Sequence, residues 1–122
     1  MTRVLGFLLA AAALASCWQK DVGRTYYPTG QVRTEATIRN NVLEGHAVMY
    51  YESGTKMSEA TYKSGVLHGK STAYYENGAK KAEAGYKEGV LHGDSISWTP
   101  SGSIQHQVTF VDGRLSPENP KK

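Results

Sequence analysis

The chain has 122 residues, with 14 Lys and Arg against 11 Asp and Glu, 13 glycines and one cysteine. That length bounds it to one domain, and a single cysteine excludes an intrachain disulfide. The net charge of +3 is spread along the chain without a basic stripe, which argues against nucleic-acid recognition.

Residues 1–16 read as an export signal. Arg3 supplies a minimal positive start, Val4 to Ala13 form a short apolar run, and Leu14-Ala15-Ser16-Cys17 resembles a lipobox. Cleavage before Cys17 leaves that thiol for lipid. The run is far short of the ~20 residues a membrane-spanning helix needs. Cleavage after Ala15, giving a freely exported protein, and a simple N-terminal helix are the competing readings. Removing 16 of the 122 residues takes away Arg3 and leaves 106, with 13 basic and 11 acidic side chains. Residues 17–25 read as a tether, with Trp18 near the membrane surface. By resemblance to the known sorting habit of lipoproteins, Trp18 rather than Asp after the lipidated cysteine implies an outer membrane in a cell that has one, with a secreted or periplasmic protein as the alternative.

From residue 26 onward the chain repeats itself. Tyr51-Glu52-Ser53-Gly54 through Leu67-His68-Gly69 returns as Tyr75-Glu76-Asn77-Gly78 through Leu91-His92-Gly93. Gly30, Gly54, Gly78 and Gly102 are spaced by 24 residues, and so are Leu43, Leu67 and Leu91. Gly45, Gly69 and Gly93 keep the same interval. A fixed period in the twenties marks units that bury their apolar faces only by stacking on neighbours.

Each unit encodes two strands. Met57 to Tyr62 and Gly69 to Tyr75 are short, rich in Thr and Tyr, and bounded by turn residues. Asn77-Gly78 predicts a tight hairpin turn. The longer link, Lys63 to Gly69, carries an apolar pair, predicting that Leu43, Leu67 and Leu91 fold back as plugs over the sheet. Superposed repeats give an aromatic column (Tyr26, Tyr50, Tyr74, Trp98), a second one (Ile38, Tyr62, Tyr86, Phe110), and an alanine column ending on Val108. Alternation puts the alanine column on the face of the second aromatic column and Glu35, Glu59 and Glu83 on the other.

Tyr-x-x-Gly, then Glu-x-x-Tyr, then Gly-Val-Leu-x-Gly resembles the MORN repeat in its bacterial variant form, over residues 26–115. The resemblance implies rows of β-hairpins in one long antiparallel sheet, serving as a scaffold that binds protein or lipid. It also suggests an antitoxin-like role. The first copy departs from the pattern at Asn40-Asn41, and the last lacks its closing glycine and second strand, as a cap would. The expected fold is all-β, an elongated single-layer antiparallel meander of seven or eight strands, roughly 35 Å long at about 4.8 Å per strand. Residues 116–122, with two prolines, read as a disordered tail.

No catalytic residue, metal ligand set or cofactor motif is expected. His68 and His92 share a repeat position, but equivalent positions lie roughly 9–10 Å apart and are matched by Glu44 and Ser116, so they read as turn residues. The Glu35, Glu59 and Glu83 column reads as solvated surface. Tyr27, Tyr51 and Tyr75 form a row of rigid, amphipathic rings, and they are the expected contacts for an unidentified protein partner; packing within the sheet is the competing role. The expectation is a non-enzymatic, lipid-anchored interaction scaffold of the bacterial cell envelope. The alternatives are an immunity protein against a toxin and a binder of envelope glycan or lipid headgroups.

Overall fold

The computed structural model describes residues 20–117. The expected signal peptide, Cys17 and Trp18, and the tail beyond Pro117 lie outside the described residues. Nine strands run in chain order: β1 (Asp21–Tyr26), β2 (Val32–Arg39), β3 (Val42–Tyr50), β4 (Lys56–Lys63), β5 (Val66–Tyr74), β6 (Lys80–Lys87), β7 (Val90–Trp98), β8 (Ile104–Val111) and β9 (Arg114–Leu115). Each is hydrogen-bonded to the next in one antiparallel sheet of order β1 to β9. The all-β meander of the sequence reading is the observed fold. It has nine strands instead of seven or eight, because Asp21–Tyr26, assigned mostly to the 17–25 tether, forms β1, and Arg114–Leu115, in the repeat expected to lack its second strand, forms the short β9.

One layer has no interior. Among the described residues no hydrophobic side chain is buried, and Thr72 alone falls in that class at 6% exposure. Order is carried by the backbone ladder and by cross-strand rows. On one face Gly23, Ala36, Ala47, Ala60, Ser71, Ala84, Ser95 and Val108 stand in one continuous register. On the other, the matching row is Arg24, Glu35, Val48, Glu59, Thr72, Glu83, Ile96 and Gln107.

Two kinds of link alternate, and they reverse the expected assignment. The tight two-residue turns are Asn40-Asn41, Ser64-Gly65, Glu88-Gly89 and Asp112-Gly113, with both central residues at positive φ. That mirror-image geometry suits the twist of paired strands. Asn77-Gly78 instead belongs to the longer loop 75–79, where the Gly78 amide bonds the Tyr75 carbonyl at 2.9 Å and the Tyr75 amide bonds the Ala79 carbonyl at 2.8 Å. Gly30, Gly54, Gly78 and Gly102 hold this loop's left-handed position, at φ from 88° to 94°. An added Cβ would meet nothing there, so conformation and not space demands glycine.

The leucines are not plugs. Leu43, Leu67 and Leu91 lie in β3, β5 and β7, opposite Ile38, Tyr62 and Tyr86. Their carbonyls accept the amides of Gly65, Gly89 and Gly113, each at 2.8 Å, so these three tight turns are each fastened to the repeat before. The preceding valine covers the same glycine: Val66 and Val90 each bring Cγ1 to 2.9 Å from where a Cβ on Gly89 or Gly113 would stand. Gly45, Gly69 and Gly93, at φ from 99° to 105°, sit in bulges. Residues 44–46 together oppose Thr37 alone, which bends the strand.

Candidate functional site

The polar face of the sheet carries a row of paired carboxylates. Glu59 in β4 receives the Tyr74 hydroxyl at 2.5 Å and Lys56 Nζ at 2.9 Å. Glu83 in β6 pairs with Lys80 Nζ at 2.9 Å and with Lys70 Nζ, across from β5, at 3.0 Å. Glu35 pairs with Arg24 at 2.7 Å. The column expected to be solvated is therefore paired and partly covered, with the Glu83 side chain 15% exposed. Strict alternation would put residues three apart on opposite faces. The register shift at the start of β4 and β6 restores Lys56 to the side of Glu59 and Lys80 to the side of Glu83.

These contacts set the chemistry of the carboxylates. The Tyr74 hydroxyl first, then Lys56, holds Glu59 below the usual carboxylate range. Lys80 and Lys70 do the same for Glu83. The bond to Glu59 pushes the Tyr74 hydroxyl up to about 12. Both carboxylates are stable anions with their lone pairs engaged, an arrangement that suits binding rather than proton transfer.

Two hollows open along this face. One, of about 470 Å³, lies over β5–β7 and is lined by Lys70, Glu83, Tyr86, His92 and Asp94 among others. The other, of about 360 Å³, lies over β3–β6 beside His46, Glu59, Thr72 and Tyr74. They share Lys70 and Glu83, so they are parts of one trough. The larger hollow exists because β6 carries Gly85 where β2, β4 and β8 carry Thr37, Thr61 and Thr109. The freed space is partly taken by the His92 carbonyl oxygen, 2.3 Å from the site of a Cβ on Gly85.

Tyr27, Tyr51 and Tyr75 have their hydroxyls turned into the sheet. They donate to the carbonyl oxygens of Tyr50, Tyr74 and Trp98, each at 2.8 Å. Each bond links the loop of one repeat to the last strand residue of the next, and each tyrosine is half-buried. Cations lie over two of the rings: Arg33 over Tyr27 and Lys81 over Tyr75, each 5.7 Å from the ring centre. Lys80 lies 5.8 Å from the Trp98 ring.

The histidine pair takes a role that spacing did not reveal. His68 Nδ1 accepts the Glu88 amide, and His92 Nδ1 the Asp112 amide, both at 3.3 Å. Glu44 at the same repeat position accepts the Ser64 amide at 2.6 Å. The column Glu44, His68, His92 is a set of acceptors that cap the next tight turn. The signal was present, since Glu and imidazole share the ability to accept. Among the described residues no group of three or more His, Cys, Asp or Glu side chains is placed to hold a metal ion.

The chain matches the family described as MORN repeat variant over residues 22–40, 43–64, 67–88 and 91–112. No curated protein sequence matches it. Among solved structures it is similar to part of an assembly of accessory secretory proteins 1, 2 and 3 in Streptococcus pneumoniae, at 15% identity and a TM-score of 0.44. That likeness covers 82% of this chain and 20% of the other. A second likeness, to a GtfA/B complex bound to UDP and GlcNAc, has 14% identity and a TM-score of 0.41, covering 72% of this chain and 22% of that one. The chain thus spans about a fifth of the length of either.

Proposed function

The chain belongs to the MORN repeat variant family, whose repeats suggest a binding or scaffold role, and we propose that it is a non-catalytic scaffold displaying its sheet to a protein partner at a bacterial cell envelope. The observation that carries this reading is the trough around Lys70 and Glu83, where ion pairs already in place present fixed charges beside the Tyr74 ring. Preorganised charge and half-buried aromatic surface are what a macromolecular partner exploits. The hydroxyls of Tyr27, Tyr51 and Tyr75 are engaged within the sheet, so these residues contribute ring faces to the contact, with overlying cations at Tyr27 and Tyr75.

Anchoring belongs to the same proposal. Acylation of Cys17 adds about 0.8 kcal/mol per buried methylene, and several chains on one residue hold a protein stably at a membrane. Cys17→Ser is expected to abolish palmitate labelling and release the protein from the membrane fraction. Unchanged fractionation would remove the anchor from the proposal.

The scaffold reading is tested by comparing partners captured from envelope extract by the wild-type chain and by Lys70→Glu/Lys80→Glu. A partner held through the trough is expected to be lost from the charge-reversed variant. A capture profile that ignores the reversal overturns the trough as the contact surface. Rescue of growth by co-expression with a toxin would make the partner that toxin and the scaffold an immunity protein. Retention on cell wall or on anionic vesicles would redirect the reading to glycan or lipid headgroups.

A further inference from the structure

The two ends of the sheet are complementary halves of one strand. Shifted by the 24-residue period, Asp21–Tyr26 of β1 falls on Gly93–Trp98, the later part of β7. Arg114-Leu115 of β9 falls on Val90-Leu91, the first two residues of β7. β9 covers β8 only through Phe110–Leu115 and Val111–Arg114, followed by the Ser116 amide on the Thr109 carbonyl. Among the described residues no strand pairs with Ile104 to Val108 on the outer side of β8, nor with the outer side of β1.

Exposed edges are normally blunted by charge. The interior strands β2, β4 and β6 each carry at least three charged side chains, yet β8, Ile-Gln-His-Gln-Val-Thr-Phe-Val, carries no Asp, Glu, Lys or Arg. Its Ile104 and Val111 are 59% and 49% exposed. The row of small side chains adds an independent observation. Inside the sheet it joins Ala36 to Ala47, Ala60 to Ser71 and Ala84 to Ser95. It ends on Val108 at one edge and on Gly23 at the other, so the largest member faces outward at the end opposite the smallest.

We propose that a second copy of this chain docks head to tail, its β1 pairing with the open edge of β8 and completing the strand that β9 begins. The register follows from β2 and β3, where Thr34, Glu35 and Ala36 oppose Met49, Val48 and Ala47. Shifted by whole repeats, His106 opposes Thr25 of the second copy, Gln107 its Arg24, and Val108 its Gly23. Val108 and Gly23 then continue the row of small side chains across the junction, and the Gln107 side-chain carbonyl accepts from the Arg24 guanidinium. Pro117, at the position equivalent to Gly93, has no amide hydrogen and stops β9 where the incoming strand takes over. The contact is heterologous and does not close on itself, so it builds open-ended ribbons.

Disulfide trapping tests the register. The full chain carrying Cys17→Ser, Thr25→Cys and His106→Cys has its two thiols seven strand spacings apart, about 34 Å, so any bridge must join two copies. Mild oxidation is expected to give a ladder of dimers, trimers and longer species. Thr25→Cys with Thr109→Cys, three residues out of register, is expected to stay largely monomeric under the same conditions. Gln107→Arg, which sets a second guanidinium against Arg24, is expected to slow the matched ladder, and Gln107→Glu to speed it. Far-ultraviolet circular dichroism confirms that each variant keeps its sheet. A folded matched pair that remains monomeric, a ladder equal for both pairs, or one indifferent to the charge at residue 107 overturns the proposal.

Discussion

The Tyr51 hydroxyl donates to the Tyr74 carbonyl oxygen at 2.8 Å, across 23 residues and two strands. The same bond recurs from Tyr27 to Tyr50 and from Tyr75 to Trp98. In a sheet without a buried hydrophobic side chain among the described residues, these bonds stitch one repeat to the next. Removing the hydroxyl leaves a half-buried carbonyl without its donor. Tyr51→Phe is therefore expected to lower stability by about 0.5–1.5 kcal/mol. Tyr27→Phe and Tyr75→Phe are expected to cost similar amounts. Being two strand spacings apart, the three losses should add within about 0.5 kcal/mol. Urea denaturation of the single and triple variants measures this; no change in midpoint would mean the hydroxyls carry no stability.

The tight turns make a sharper demand. Gly89 lies at φ 81° with the Val66 methyl 2.9 Å from the site of a Cβ. A left-handed backbone costs a non-glycine residue roughly 1–2 kcal/mol, and the contact with Val66 adds to it. Gly89→Ala should be destabilising by at least that amount. Gly89→Asn should cost less, since Asn41 already occupies the equivalent position at φ 61°. In the Gly89→Ala/Val66→Ala pair the combined loss should be smaller than the sum, as the crowded methyl is gone. Denaturant midpoints of the four chains form the cycle, and strict additivity would show that Val66 does not press on the turn.

How far such features could be read beforehand depends on what the period conveys. The 24-residue spacing is enough for the meander, because a unit of that size holds two strands and two links. It does not say which link is short. Asn77-Gly78 and Ser64-Gly65 are both plausible hairpin turns, and only the positions of the strand ends assign the two-residue turn to Ser64-Gly65. Alternation failed where the register shifts. Lys80 and Glu83 share a face only because the ladder skips Lys81, so the polar trough could not be assembled by counting in twos. The acceptor role of His68 and His92 was concealed because Glu44 at the matching position was weighed only as breaking a ligand column, when its common property with the histidines is a lone pair.

The bond between Tyr74 and Glu59 gives the sheet a dependence on alkaline pH. The folded chain keeps the Tyr74 proton up to about 12, while an unfolded tyrosine releases it near 10. The folded state thus binds more protons in this interval, so its stability is whole below pH 10 and declines between 10 and 12. Tyr74→Phe should start less stable at neutral pH and lack this part of the slope, so the two curves converge as pH rises. Glu59 and Glu83 work in the opposite sense. Held below the ordinary value of 4.5, they contribute above it and lose that contribution as pH falls below it. Glu83→Gln should flatten the acid limb. Urea midpoints at closely spaced pH values test both limbs, and parallel curves for wild type and variant would refute the corresponding assignment.

Gly85 offers a case where following the repeat leads the wrong way. Three of the four equivalent positions are threonine, and replacing an outlier with the commoner residue usually stabilises a repeat protein. Thr is also a far better strand former than Gly. Here, however, the His92 carbonyl oxygen stands 2.3 Å from the required Cβ, and an oxygen of the backbone cannot swing aside as the tip of a side chain can. Either the bulge at His92-Gly93 rearranges or the strands part. Gly85→Thr is therefore expected to destabilise the chain by about 1–3 kcal/mol, the usual range for forcing atoms into occupied space. At the facing bulge the obstacle is of another kind: a Cβ on Gly93 would meet nothing within 4 Å, and the cost of a side chain there comes from its φ of 99°. Thermal unfolding of Gly85→Thr and Gly85→Ala decides the matter: a Tm at or above wild type for the threonine variant would mean the bulge relaxes freely.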